Sequence, residues 1–324
     1  MAFFAACFSL CAQETKPSIG TVEFVSNELS GLINKDATID ILAEGFQWSE
    51  GPVWLNKQEM LLFSDVPNNI IYKWTASGGK EIYLKNSGYT GSKARTGFMG
   101  SNGLSLGLDG TLLLCQHGDR RIARMDASVN SPKANFITIA SEYSGKKINS
   151  PNDLIVTANG DIYFTDPSYG FEKGMSDPAK EIPYQGVYKV DKAGQVTLLV
   201  DSIEQPNGIA IFPNGKTLLI ANSDEVKKRW YSYNMASNGT LTNAKVFYDV
   251  SNEKGLGVCD GLKIDNNGNV FATGPGGIWI FTKNGKLIGK IKLNAVPASN
   301  CALTPDGKTI FITAANYLLR VKMR

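Results

Sequence analysis

The chain has 324 residues, with 33 Lys and Arg against 30 Asp and Glu and a formal net charge of +3. That balance is too mild for a nucleic-acid-binding domain, which shows a marked basic excess, and no apolar run approaches the ~18 residues of a membrane-spanning helix. The 33 glycines suit a turn-rich β protein, while the cysteines lack metal-type spacing and make no disulfide framework.

The first stretch, Met1 to Ala12, is small and apolar, and polar Gln13-Glu14-Thr15 follows. It reads as the end of a secretory signal peptide cleaved after Ala12; Cys7 or Cys11 would carry the lipid if the protein were anchored. Residues 1–19 are therefore assigned to signal and leader, and 20–324 to one domain, in a protein expected in the periplasm or outside the cell. Thr38 to Ala43 has the composition of a strand. Its natural partner is Leu318 to Val321 at the far end of the chain, because pairing the two would close a ring and remove an exposed edge.

From Glu50 onward one phrase recurs. Ser101-Asn102-Gly103-Leu104 precedes Asp109-Gly110 and the apolar run Thr111 to Leu114; Ser150-Pro151-Asn152-Asp153-Leu154 precedes Asn159-Gly160 and Ile162 to Thr165. Pro206-Asn207-Gly208-Ile209 and Cys259-Asp260-Gly261-Leu262 open two more copies. Asn102, Asn152, Asn207 and Asp260 each stand eight residues before a turn glycine. Two copies are degenerate: Glu50-Gly51-Pro52 has Gln58 in the glycine position, and around Ser299-Asn300 the spacing aligns Ser299 instead. Six strand-turn-strand copies at about 50-residue intervals predict an all-β, six-bladed β-propeller. A long polar insertion between Pro167 and Gln185 is expected to roof a pocket, as long loops in compact folds often serve function.

In a propeller the innermost strands line one central channel, so equivalent positions face one axis. Glu50, Asn102, Asn152, Asn207 and Asp260 are all oxygen donors, two carboxylates and three amides. Such a set suits Ca²⁺ completed by water. Mg²⁺ and Mn²⁺ are alternatives, and Zn²⁺ the poorest match, since it prefers His and Cys and the chain has one His. Around a channel metal, Asp260 is the candidate general base and His117 the second choice. Asn102, His117, Asp166 and Tyr169 are candidate substrate contacts. The competing reading of any one Asn-Gly pair is a plain turn. No Gly-x-Ser-x-Gly elbow offers a serine nucleophile, and no glycine-rich strand-to-helix turn offers a phosphate cradle. Cys115, Cys259 and Cys301 read as buried apolar residues.

These stretches, together with Ser49-Glu50-Gly51-Pro52-Val53-Trp54, His117-Gly118-Asp119-Arg120-Arg121, Phe164-Thr165-Asp166-Pro167-Ser168-Tyr169-Gly170 and Asp260-Gly261-Leu262, resemble the gluconolactonase/SMP-30 (regucalcin-like) family, in its bacterial gluconolactonase branch. The resemblance runs from Glu50 to the end. It implies a calcium-dependent hydrolase that opens a small-molecule lactone, with Glu50, Asn152, Asn207 and Asp260 as metal ligands and Asp260 also as base. A family arginine that contacts sugar lactones is matched by Ser150, which leaves the substrate open between a sugar lactone, another lactone and an organophosphate or aryl ester. The reading from another class is a non-catalytic propeller that binds a ligand on its rim. Monomer and dimer are both compatible with the sequence.

Overall fold

The computed structural model describes residues 19–324; the expected cleavage after Ala12 and the lipidation of Cys7 or Cys11 lie outside the described residues. The described chain is all-β, a six-bladed propeller. Blade one is Ser49–Leu55, Met60–Asp65, Ile70–Thr75 and Gly79–Lys85; blade two is Ser101–Leu106, Leu112–Gln116, Arg121–Met125 and Phe136–Ala140. Blades three and four begin with inner strands Leu154–Val156 and Pro206–Ile211, and five and six with Leu262–Ile264 and Asn300–Leu303. Helical content among the described residues is limited to 3₁₀ turns such as Gly174–Ser176, and no helix among them is long and apolar enough to cross a membrane.

The ring closes as the edge argument expects. Ile39–Glu44 becomes the outer strand of blade six, antiparallel to Tyr317–Lys322, with Ile39 opposite Val321. Arg320 adds a 2.7 Å ion pair to Asp40 across the seam. A second terminal strand was not legible in the sequence: Gly20–Phe24 pairs with Leu287–Leu293 and gives blade five a fifth strand. Glu142–Tyr143 and Lys146–Lys147 form a small separate hairpin.

Turn chemistry explains the regular spacing. Gly110, Gly160, Gly215, Gly268 and Gly307 all take positive φ, a region in which glycine carries no steric penalty. In blade one, whose copy lacks the glycine, Glu59 rather than Gln58 takes the left-handed turn, at φ 47°. The core is divided by blade interfaces. Leu55, Leu62, Leu104 and Leu114 pack between blades one and two, and Trp230, Trp279, Phe281 and Cys259 between four and five. Cys115, Cys259 and Cys301 are free and buried, small apolar filler as expected. The pattern matters for the site: apolar clusters hold neighbouring blades in register, and that register sets how closely their inner edges meet at the axis.

Candidate active site

At the top of the channel the repeat places a ring of side chains. In blades one, two and four the inner strand is bulged at the ring residue, with the register slipping between Glu50 and Val53, Ser101 and Leu104, and Pro206 and Ile209. A bulge re-aims a side chain that a regular strand would alternate away. Asn152 and Asp260 reach the same level from the residues just ahead of Leu154–Val156 and Leu262–Ile264. Where the residue after the ring position is glycine, it packs on the next blade's ring carbonyl. Gly103 N–H donates to Asn152 O at 2.7 Å, Gly208 N–H to Asp260 O at 3.2 Å, and Gly261 N–H to Ser299 O at 2.7 Å. Ser299, not Asn300, is therefore the sixth ring position, as the spacing suggested. A Cβ on Gly208 would sit 2.3 Å from Asp260 O, and one on Gly51 2.0 Å from Asn102 O, so the close approach requires glycine.

Two ring successors are not glycine, and both put a polar side chain below the ring. Asp153 accepts from Leu154 N–H at 2.9 Å and Asn300 from Cys301 N–H at 2.9 Å. Lys263 rises between them, 3.3 Å from Asn300 Oδ1 and 3.7 Å from Asp153 Oδ2. Asn300 Nδ2 in turn donates to Glu50 Oε2 at 3.3 Å. The sequence marks these positions only by breaking the ring-glycine pattern at Asp153 and Asn300. Beneath them the far mouth of the channel is a second, mainly apolar cavity of about 320 Å³, bordered by Val53, Ile155, Ile211 and Ile264 among others.

Above the ring lies a cavity of about 480 Å³ whose lining includes Glu50, Asn102, Asn152, Asn207, Asp260 and Tyr169. Six of the eight sequence-derived site residues thus converge on one space. The other two do not line it. His117 is fully buried; its Nδ1 lies 3.3 Å from Phe98 O, and its ring packs beneath Gly170. Asp166 is also fully buried, and its Oδ2 accepts from Asn149 N–H at 2.7 Å, which holds the segment leading to Asn152. The sequence makes both candidate substrate contacts; they stand at the ends of second strands, outside the lining of this cavity. Ser150 is likewise spent on structure, donating to Pro167 O at 2.7 Å and accepting from Gly170 N–H at 2.9 Å.

The expected roof is present and has two parts. Phe171, Gly174 and Met175 of the 167–185 insertion line the cavity, and so does Phe98 of a second loop, 86–100, that the sequence reading passed over. Arg95 ties the two loops together, donating to Gly118 O at 2.8 Å and Gly170 O at 2.5 Å.

Electrostatics set the floor apart. Burial pushes the Glu50 carboxyl up to about 7, with the Asp153 charge adding to it and the Gly51 amide opposing. Burial also holds Asp260 well above the usual carboxylate range, reinforced by the charges of Glu50 and Asp153 and opposed by a hydrogen bond with Asn207. The Tyr169 hydroxyl is raised, chiefly by burial and then by Asp260, while hydrogen bonds with Ser223 and Asn207 oppose the shift. Asn102 Oδ1 and Asp260 Oδ1 are buried without any hydrogen-bond partner, which is costly unless a donor or cation completes them. Among the described residues no group of three or more His, Cys, Asp or Glu side chains gathers as a metal cluster. The floor offers two carboxylates and amide oxygens instead, a hard-oxygen set that fits a cation such as Ca²⁺ better than one that seeks nitrogen or sulfur.

Fold and site together define a propeller enzyme-type pocket: a polar channel floor, walls from inter-blade loops, and convergent acidic and amide groups of the kind that mark an active site. The chain belongs to the SMP-30/gluconolactonase/LRE-like family, whose model matches residues 48–316. It is 36% identical over 314 residues to a gluconolactonase of Zymomonas mobilis, covering 95% of this chain and 87% of that protein. Among solved structures, a gluconolactonase from Xanthomonas campestris is 27% identical with a TM-score of 0.80, covering 96% of this chain and 99% of the other. A calcium-binding regucalcin from Agrobacterium tumefaciens is 19% identical with a TM-score of 0.68, covering 88% and 94%, and shares the fold.

Proposed function

We propose that this protein is a metal-dependent lactonase whose reaction centre is the ring floor. One observation carries the reading: two residues that line the cavity, Asn102 and Asp260, each hold a buried oxygen with no hydrogen-bond partner, beside a second buried carboxylate, Glu50. The Zymomonas and Xanthomonas relatives are gluconolactonases, which makes glucono-1,5-lactone the first substrate to try. A divalent cation held by Glu50, Asn152, Asn207 and Asp260, Ca²⁺ by the oxygen-only set, would polarise the lactone carbonyl and offset the charge that develops on its oxygen.

The chain's own groups supply the rest. Asp260 Oδ1, with no hydrogen bond to give up, takes the proton of the attacking water as its oxygen bonds to the carbonyl carbon. Collapse then breaks the ring C–O bond, and the proton held on Asp260 passes to the departing oxygen, which gives the open hydroxy acid and restores the base. Asn207, hydrogen-bonded to Asp260 and to Tyr169, holds the base in place. Tyr169, whose burial keeps it protonated, is placed to donate to a ring oxygen or hydroxyl.

The test is hydrolysis of aldonolactones, aryl esters and phosphotriesters by the purified chain, with EDTA and with millimolar Ca²⁺. We expect lactone turnover that EDTA abolishes and Ca²⁺ restores. Asp260→Asn, assayed at saturating Ca²⁺, should lose about 10²-fold in turnover, the scale of a lost general base. Full activity in EDTA sinks the metal role. Unchanged turnover in metal-saturated Asp260→Asn sinks the base assignment, and turnover confined to phosphotriesters sinks the lactone.

A further inference from the structure

The walls of the cavity differ from its floor in a way that bears on the substrate. Among the described lining residues there is no Lys, Arg or His. Two nearby cations are committed elsewhere: Arg95 to the carbonyls of Gly118 and Gly170, and Lys263 to the layer below the ring. Glu225 on the wall adds a further carboxylate. Facing this acidic floor are Trp48, Phe98, Phe171, Met175 and Val258. Trp48 and Phe98 meet edge to face with ring centroids 6.1 Å apart, so they form one continuous apolar surface. Phe98 and Met175 remain 37% and 46% exposed, with apolar area still to be covered. The exposed Val226 and Leu256 extend the same character along the chain from the lining residues Glu225 and Val258. The cavity, about 480 Å³, is roomier than a bare monocyclic lactone needs.

We infer that, resting on the lactonase reading, the site is built for an uncharged lactone that carries an apolar arm: the ring lies on the floor, and the arm runs along Trp48, Phe98 and Met175. Two physical terms decide this. Beyond the floor cation, which the lactone carbonyl engages, an anionic substituent such as a phosphate would meet the Glu225 carboxylate and no Lys, Arg or His among the lining residues, so its desolvation there is uncompensated. An alkyl arm removes the exposed Phe98 and Met175 surface from water, and each methylene that is even half covered improves affinity about twofold. A hydroxyl-rich arm gains nothing on that wall.

The experiment compares δ-valerolactone with its butyl-substituted homologue, and glucono-1,5-lactone with its 6-phosphate, on the full chain with millimolar Ca²⁺. KM should fall about tenfold with the butyl arm, and the phosphate should lower kcat/KM at least about tenfold. Phe98→Ala and Met175→Ala, both at half-exposed loop positions, should raise KM for the butyl lactone about fivefold while affecting δ-valerolactone less, so that the gain from the arm shrinks. Calorimetric titration with the two corresponding lactams reads the arm without turnover. If neither lactone is hydrolysed but the butyl lactam binds more tightly, the apolar subsite stands and the lactonase activity falls. Equal KM and equal lactam affinity with and without the arm, or a phosphorylated lactone used as well as its parent, would overturn the inference.

Discussion

The floor of the cavity and its roof are built on opposite principles. The floor comes from five repetitions of one local phrase, with Ser299 as a sixth, and three of its junctions are pinned by backbone hydrogen bonds between neighbouring copies. The roof comes from two loops, 86–100 and 167–185, that occur once each and meet through side chains such as Arg95. Repetition leaves the floor no freedom: ring size, donor type and glycine spacing follow together. The roof is built from segments that occur once, and its Phe98 and Met175, with Trp48 beside Phe98, give the wall its apolar character.

That contrast can be broken most sharply at glycine. Gly208→Ala puts a Cβ 2.3 Å from Asp260 O, against backbone that cannot yield without shifting the ring. We expect a loss of about 3 kcal/mol or more, or failure to fold, read as the denaturant midpoint. Gly97→Ala in the roof meets no atom within 4 Å and differs only in its φ of +79°, so it should cost about 1 kcal/mol. Similar losses at both sites would mean that the floor is not the rigid part.

An acid limb should report on the support behind the wall. His117 is fully buried, and its pKa is pushed down to about 4 mainly by that burial, with the Phe98 carbonyl opposing and Arg95 adding to the depression. Because the folded value lies below the unfolded 6.5, the unfolded chain binds more protons between those values. Stability contributed by His117 is therefore complete above about pH 6.5 and declines as pH falls towards 4, by up to about 3 kcal/mol. Burial raises Glu50 and Asp166 instead, each to about 7, so in metal-free protein they act in the opposite sense and lose stability as pH rises towards 7. The informative quantity is therefore the difference between the parent and His117→Gln across pH 4 to 7, which should shrink steadily as the pH is lowered. A pH-independent difference would place a charged or hydrated imidazole there.

The smallest effect should come from the strap. Arg95→Ala removes one hydrogen bond between the roof loops, to Gly170 O, and one to Gly118 O in the turn after Leu112–Gln116, but little buried apolar surface, so global stability should fall by no more than about 1 kcal/mol. Cleavage by a nonspecific protease within 91–98 should rise, since local opening needs only the roof to lift. Unchanged proteolysis would show that the loops hold each other by other contacts.

Most of the fold was legible because a propeller is written in short-range grammar. The spacing from ring residue to turn glycine lies within one hairpin, and Leu318 to Val321 could find Thr38 to Ala43 because an open edge needs a partner. The oxygen-donor ring followed from the same register, before any distance was known. What the chain could not announce is held across sequence separations that no local pattern spans. The fifth strand Gly20–Phe24 pairs with Leu287–Leu293; Lys263 stands between Asp153 and Asn300; and Arg95 reaches Gly170. His117 and Asp166 sit in the matching motif yet do not line the cavity, because theirs are the second strands, farther from the axis than the inner ones. Side-chain type and spacing settle which residues a repeat brings to the channel. Only packing between blades and loops decides which of them the cavity exposes, since burial and orientation are properties of neighbours far away in the chain.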